Sequence, residues 1–393
     1  MPYGDCMISQ YLWAPVRRTA AKVSVDAQQV VFKLTGGKKP KSLFTEMAHP
    51  EKVGSTVKII GEGKYSTDIA KFDKNGQMSD DDFIILTTTD FHLDDYDSDK
   101  KTMEMFFRRI KDTKPDLIVL TGDIILGDYQ QIDAIKFARA MEKIGVYWTA
   151  VFGNHETREE KGLYKWMLLK SFSIYPHCLC KFGPKELFGY GNHTINIFGK
   201  NGLRQTLFMF DSGRDIRDEY RKEHNVPKDM NGYDFLKKNQ IDFYKNEIDS
   251  LEKKYGKFYS MMYMHIALKE FEEVFDKNED GSYVPSGKAE LLYGEQYESV
   301  GCSPYNSGMF DAIKEKGSTK AVFAGHDHIN DWCALYKDVY LVYSQHAGYS
   351  PYHMGTNYDL PEEKWMQGVT LTTIHPDNSI SIKQIFNSKY LDI

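Results

Sequence analysis

Cysteine is scarce in this sequence, with five in 393 residues and no spacing that would build a framework. Cys178 and Cys180 are too close along the chain for an easy structural bridge, and Cys6, Cys302 and Cys333 are scattered. A disulfide-stapled fold is therefore excluded, and reduced, buried thiols in a cytoplasmic setting are expected. Long apolar runs are missing as well. Leu117–Leu126 is interrupted by Asp123 and falls well short of a membrane span. The opening residues, MPYGDCMISQYLWAPVRR, lack a basic start followed by an apolar core, so they do not read as a signal peptide. Positive charge is not in excess either. The net charge is −6 and the basic clusters, Arg17-Arg18 and Lys38–Lys41, are short, so no nucleic-acid partner is indicated. Neither an internal repeat nor a low-complexity linker is present.

What remains is a soluble-protein composition, 41% hydrophobic and 27% charged, on a chain long enough to bury a sizeable core. Residues 1–80 carry turn clusters, Gly36–Pro40 and Gly61–Gly63, between short β-like runs such as Gln29–Leu34 and Val57–Ile60. They read as a β-rich N-terminal extension or a small domain of its own. Over residues 81–393 the pattern becomes strand, loop and helix, repeated. Phe83–Leu86, Leu117–Leu120 and Val146–Phe152 are strand-like. Between them, Met103, Phe106, Phe107 and Ile110, then Ala134, Phe137, Met141 and Ile144, recur at helical spacing. Strand–helix–strand units in succession predict an α/β fold with a parallel sheet flanked by helices. Residues 157–205 are irregular and read as a long excursion with the character of a lid, and 275–307 as a polar insertion. Order returns at Leu207–Phe210, at a helix through Ile241, Tyr244, Ile248 and Leu251, and at strands Phe258–Met264 and Lys320–Phe323. The alternating segments Val339–Tyr343, Val369–Ile374 and Ile380–Ile385 could close a second sheet.

The apolar runs share one feature: several end in residues that bind metals. In order these endings are Asp90-Phe91-His92, Gly122-Asp123, Gly153-Asn154-His155, His265 and Gly325-His326-Asp327-His328. In open α/β folds the carboxyl ends of strands form the site. Seven donors would converge there, namely Asp90, His92, Asp123, Asn154, His265, His326 and His328. That number suits two metal ions sharing one carboxylate, and imidazole with carboxylate favours manganese, zinc or iron over calcium. Alternation along extended chain would place Asp90 and His92 on the same side. Glycines before Asp123, Asn154 and His326 would let the chain turn sharply.

These five segments, in this order, resemble the calcineurin-like metallophosphoesterase superfamily from about Phe83 to the C-terminus. Phe210–Gly213, Ser303–Gly308 and Gly325–Cys333 are similar to the purple-acid-phosphatase-like branch of plants and fungi. The resemblance implies a β-sandwich of two mixed sheets flanked by helices. It further implies that Asp90, His92 and His328 hold one divalent transition-metal ion, that Asn154, His265 and His326 hold a second, and that Asp123 bridges them. His155 would contact the scissile phosphate and help the leaving group depart after attack by a metal-bridging hydroxide. The implied activity is a phosphomonoesterase acting on a phosphorylated small molecule or phosphoprotein. Hydrolysis of phosphodiesters, cyclic nucleotides included, is the alternative on the same site, and an inactive scaffold retaining the fold is the third reading. True purple acid phosphatases carry a tyrosine three residues after the Gly-Asp aspartate and lack the histidine of Asp-x-His. Here those places are Leu126 and His92, so a purple ferric centre is not expected.

Other polar residues receive plainer readings. His346 and His353 line the pocket or serve the structure, and Arg158 and Arg214 form surface salt bridges. Asp327 turns away into hydrogen bonding. Asp94, Asp95, Asp97 and Asp99 form a solvated acidic loop, since the central glycine and final glutamate of a calcium loop are missing. Asn192-His193-Thr194 is a glycosylation sequon only if the chain is secreted.

Overall fold

Met261, Met262 and Tyr263 are consecutive residues of one strand, and all three are fully buried. Strand alternation would leave one face to solvent unless something covers it. Here both faces are covered. Met261 and Tyr263 pack with Leu207, Met209, Ala321 and Phe323 against Phe83, Ile85, Leu117 and Val119 of a second sheet. Met262 packs on the other side with Phe208, Val322 and Leu341 against Tyr244, Ile248, Met309 and Ile313. The methionines are core residues of a sandwich.

A computed structural model describes residues 50–387, apart from 95–96, 128–129, 158–163, 359–360 and 362–364. The larger sheet has nine strands, in the order Val57–Glu62, Ser66–Lys71, His193–Gly199, Gly202–Met209, Tyr259–Tyr263, Thr319–Ala324, Val339–Tyr343, Cys333–Tyr336 and Glu290–Tyr293. Its centre, from Gly202–Met209 to Val339–Tyr343, is parallel. The smaller sheet has five strands, in the order Ile380–Phe386, Gly368–Ile374, Phe83–Thr88, Leu117–Thr121 and Tyr147–Val151. Its last three are parallel. Both sheets are mixed, as the family resemblance implied. Helices Asp97–Thr113 and Gln130–Ile144 connect those three strands. Phe106 meets Phe91 and Phe137 meets Trp148 edge to face, at 4.9 and 5.9 Å between centroids.

Of the N-terminal extension, residues 1–49, including Gln29–Leu34, lie outside the described residues. Val57–Glu62 and Ser66–Lys71 form an antiparallel pair whose second strand runs parallel to His193–Gly199 in the large sheet. The expected irregular excursion and the polar insertion both contain sheet. His193–Gly199 lies inside the excursion 157–205, yet it is an inner strand that buries Ile195 and Ile197 between the sheets. Its polar residues hide it from a hydropathy reading, because they bond within the sheet. Thr206 Oγ1 donates to Asn196 Oδ1 at 2.9 Å, and Asn196 Nδ2 to Asp68 at 2.8 Å. The insertion 275–307 contains the hairpin Phe275–Lys277 with Tyr283–Pro285 and the edge strand Glu290–Tyr293.

The acidic stretch is also not a solvated loop throughout. A helix begins at Asp97, and Asp99 is buried, accepting the Asp94 N–H at 3.2 Å. Asp95 lies outside the described residues. Asn192 is buried and bonded to Phe188, Asp211 and Gln240, so the folded sequon presents no side chain to a glycosylating enzyme. Cys178, Cys180, Cys302 and Cys333 are free thiols. No helix among the described residues is long and apolar enough to cross a membrane.

Candidate metal centre

Parallel strands of both sheets deliver their ends to one edge. The five-stranded sheet supplies the loops after Thr88, Thr121 and Val151, and the nine-stranded sheet those after Tyr263 and Ala324. Backbone hydrogen bonds lace these loops together. Asp90 N–H donates to Gly122 O, His92 N–H to Asp123 O and Gly325 N–H to His265 O, each at 3.0 Å.

The chain makes these turns on the donors themselves. Asp90, His92, Asp123 and His326 have φ of 52°, 48°, 48° and 79°. Non-glycine residues rarely adopt this left-handed region, and such strain gathers at functional sites. Extended alternation is thus not what brings Asp90 and His92 together. They meet, with Asp90 Oδ1 3.3 Å from His92 Nε2, because both residues are turned back into the same space. Of the three glycines expected to turn the chain sharply, only Gly122 has a positive φ, 100°. Gly153 and Gly325 provide closeness instead: a Cβ on either would sit 2.1 Å from Asp123 Oδ1 or Thr89 Oγ1.

The structure brings six of the seven predicted donors, together with His155, into three overlapping groups: Asp90, His92 and His328; His92, Asp123 and His155; and Asp123, His265 and His326. Asp123 belongs to two of them. Its Oδ2 is 3.2 Å from His265 Nε2 and 3.7 Å from His92 Nε2, and Asn154 Oδ1 is 3.0 Å from His265 Nε2. Asp90, His92, Asp123, His265 and His328 are buried, while Asn154, His155 and His326 are only partly so.

Whether a cation suits this arrangement can be read from the tautomers. His328 Nδ1 donates to Tyr352 O at 2.9 Å and His265 Nδ1 to Thr121 O at 2.8 Å. In the neutral rings Nε2 then carries a lone pair. Yet His328 Nε2 faces His92 Nε2 at 2.9 Å and Asp90 Oδ1 at 3.4 Å, and His265 Nε2 faces two oxygens. Acceptors aimed at acceptors need a shared positive centre, a proton or a metal cation, between them. Without metal, protons supply it. Burial opposes a charge on His265, but the Asp123 and Asp90 carboxylates outweigh it and lift its pKa to about 9. Burial likewise opposes the charge on Asp90, and His265, His328 and His92 overcome it, holding Asp90 well below the usual carboxylate range. The donor set fits transition-metal ions.

His155 differs from its neighbours. Its side chain is 43% exposed, against 1% for Asp123. Its backbone is fixed at both ends: the N–H donates to Asp123 Oδ1 at 2.8 Å, and the carbonyl accepts from Gln130 Nε2 at 2.6 Å. The ring therefore stands at the mouth of the centre, with Nε2 3.8 Å from Asp123 Oδ2. Burial holds its pKa below the ordinary imidazole value.

Several supporting residues were not picked out from sequence. Glu156 is fully buried, and its carboxylate accepts the N–H groups of Asp123 at 3.0 Å, Gly153 at 2.6 Å and Ile125 at 3.0 Å, as well as that of Ile124. It ties the Asp123 loop to the Asn154 loop, and burial together with the Asp123 charge pushes its pKa up to about 7. Its place directly after Asn154-His155 was the available signal. Glu156→Gln puts an amide N–H against backbone donors, so metal affinity should fall by about 10- to 100-fold in a metal titration. Unchanged affinity would leave Glu156 as packing only. Tyr352 stacks on His328 with centroids 4.1 Å apart and planes 4° from parallel, and its hydroxyl donates to Glu298 at 3.0 Å. Nothing local in the sequence marks it.

Of the remaining candidates, His346 is buried, stacks 5.7 Å from His328 and enters none of the three donor groups. His353 packs on Trp365. Arg214 pairs with Asp215 at 3.1 Å, and Arg158 lies outside the described residues. Asp327 turns away from the donors. Gly301 N–H, Asn330 Nδ2 and the Tyr343 hydroxyl donate to it, while burial and Glu298 raise its pKa to about 7.

Comparison with known proteins gives the same answer as the geometry. A sequence model of the calcineurin-like phosphoesterase family matches residues 83–330. "Probable inactive purple acid phosphatase 14" of Arabidopsis thaliana is 30% identical over 65% of this chain and 64% of its own length. "Phosphatase DCR2" of Saccharomyces cerevisiae is 30% identical over 71% of this chain and 49% of its own. The chain thus spans less than two thirds of the length of these curated relatives. A crystal structure of a dimetal phosphatase from Danio rerio shares the fold, with a TM-score of 0.51 and 12% identity over 78% of this chain and 96% of that one. Donors converging at the strand ends of a two-sheet sandwich, together with a family match across them, show that the chain belongs to the calcineurin-like phosphoesterase family.

Proposed function

We propose that this chain is a dinuclear metal-dependent phosphoesterase that hydrolyses phosphate monoesters, on phosphorylated small molecules or phosphoproteins. The observation that carries the reading is the convergence of acceptor atoms around Asp123, with the His155 imidazole, which is not among the seven predicted ligands, held at the open side. Asp90, His92 and His328 would hold one cation and Asn154, His265 and His326 the other, with Asp123 shared between them. Two cations so held would supply Lewis acidity toward a phosphate oxygen and toward water.

The chain's own contribution is orientation. Thr121 O and Tyr352 O fix the tautomers of His265 and His328. Glu156 holds the two aspartate- and asparagine-bearing loops in register. His155, its backbone fixed, presents a ring N–H to the phosphate and to the departing oxygen. A phosphatase name on the yeast relative supports the monoester reading. The word "inactive" in the plant relative's name describes that protein. It also makes a silent scaffold the second reading. Against that reading, no donor of the set is replaced in this chain.

Turnover of p-nitrophenyl phosphate and bis-p-nitrophenyl phosphate by metal-loaded protein tests the proposal. The monoester should be the better substrate. A preference for the diester would select the phosphodiesterase alternative, and no turnover of either would select the scaffold.

Metal and colour provide a further check. Leu126 occupies the place of the purple enzymes' tyrosine and has no oxygen to offer. The purified protein should lack a visible tyrosinate-to-iron band. Chelation should abolish activity, and manganese or zinc should restore it. A purple preparation would contradict the assignment.

A further inference from the structure

Which side of the centre a substrate meets follows from burial. Asp90, His92, Asp123, His265 and His328 are closed off, whereas Asn154, His155 and His326 retain solvent contact. The accessible face is therefore the one bounded by His155 and His326. Against His326 stands Tyr233, with ring centroids 4.3 Å apart and planes at 85°. Tyr233 is nonetheless 37% exposed, so its ring is engaged with His326 while much of it remains open to solvent.

This exposed ring is not on a loose segment. Tyr233 lies opposite Asp215 in an antiparallel bridge, flanked by Ile216 N–H to Gly232 O at 3.0 Å and Asp234 N–H to Arg214 O at 3.1 Å. Gly232, with a φ of 143°, passes so close to Pro304 that an added Cβ would lie 3.1 Å from its ring. Next in sequence, Asp234 and Phe235 are buried, and Asp234 is ion-paired with the buried Lys237. The backbone carrying Tyr233 is thus held between the bridged residues 214–216 and Pro304. An aromatic side chain left partly bare on a rigid support, at the open side of a reactive centre, provides contact area at little entropic cost.

We propose that Tyr233 is the wall of a leaving-group subsite that receives the planar aromatic group of a phosphate monoester whose phosphate lies between His155 and His326. The proposal rests on the phosphoesterase reading and deepens it, because it names the substrate class: aryl phosphates over alkyl phosphates. Tyr233 acts through ring contact and is a specificity residue; the bond-breaking groups are elsewhere.

Phenylphosphonate and methylphosphonate are non-hydrolysable monoester analogues that share one phosphorus head and differ in the ring. Their affinities for manganese-loaded protein, measured by calorimetry, read the subsite without turnover. Wild type should bind phenylphosphonate about three- to tenfold more tightly than methylphosphonate, the usual scale of an added aromatic pair. Tyr233→Phe should keep that preference. Tyr233→Ala should reduce it to within about twofold and leave methylphosphonate affinity and metal content unchanged, with Tyr233→Leu intermediate. A full preference in Tyr233→Ala, equal weakening of both ligands, or absence of the preference in wild type would overturn the subsite. Loss of metal from Tyr233→Ala would make the residue a support for His326 and overturn it as well. If wild type bound neither phosphonate, the phosphoesterase reading itself would fail first, a result distinguishable from all the others.

Discussion

His155→Ala should lower kcat by roughly 10²–10⁴-fold, the scale of a positioned acid–base group, while metal content stays near wild type. The expectation rests on the difference between His155 and every histidine of the buried donor set. Its ring is half in solvent, and its backbone, not its side chain, is what Asp123 holds. Removing the imidazole leaves the N–H to Asp123 and the carbonyl to Gln130 intact, so the loop keeps its shape. A leaving-group series refines the test. Esters of acidic phenols leave with little protonation, so the variant should be impaired less on them than on alkyl phosphates. Equal impairment on both would assign His155 to positioning or electrostatics rather than proton delivery. Loss of metal in this variant would reject the role altogether.

Asp123→Ala should act in the opposite way, on assembly before chemistry. This carboxylate lies within reach of His92, His155 and His265, and it also accepts the His155 backbone N–H. Its removal takes the shared ligand from both candidate sites and leaves His265 and the remaining imidazoles with less negative charge to offset a cation. The variant should retain less than about one metal per chain by elemental analysis, with activity at background. Retention of both metals with full turnover would mean that the two sites do not share Asp123.

The centre was legible in the sequence because each donor follows an apolar stretch. Phe83–Leu86 announces Asp90 and His92, Leu117–Leu120 announces Asp123, and Lys320–Phe323 announces His326 and His328. Strand ends in parallel sheets share an edge, so order along the chain was sufficient to collect them. How they reach one another was not legible. The left-handed φ values at Asp90, His92, Asp123 and His326 depend on hydrogen bonds from other loops, such as Asp90 Oδ2 accepting the His326 N–H at 2.8 Å.

Residues that support the donors were missed for the same reason. Tyr352 and Gln130 act across large sequence separations, the one stacking on His328 and the other holding the His155 carbonyl. The strand His193–Gly199 was hidden by chemistry of another kind. Its Ile195 and Ile197 alternate as a strand should, but Gly183-Pro184 and Gly189–Asn192 before them break the pattern. Hydrogen bonds to Asp68 and Thr206, which no local pattern reveals, account for the buried Asn196.

Phosphate ester hydrolysis by this chain should above all require two cations in one centre. Metal-free protein titrated with manganese or zinc, with bound metal and p-nitrophenyl phosphate turnover followed together, addresses this directly. Saturation is expected at two metal equivalents per chain, with turnover absent from the metal-free protein and complete only when the second equivalent is bound. Turnover that is already complete at one equivalent, or that persists in metal-free protein, would contradict it.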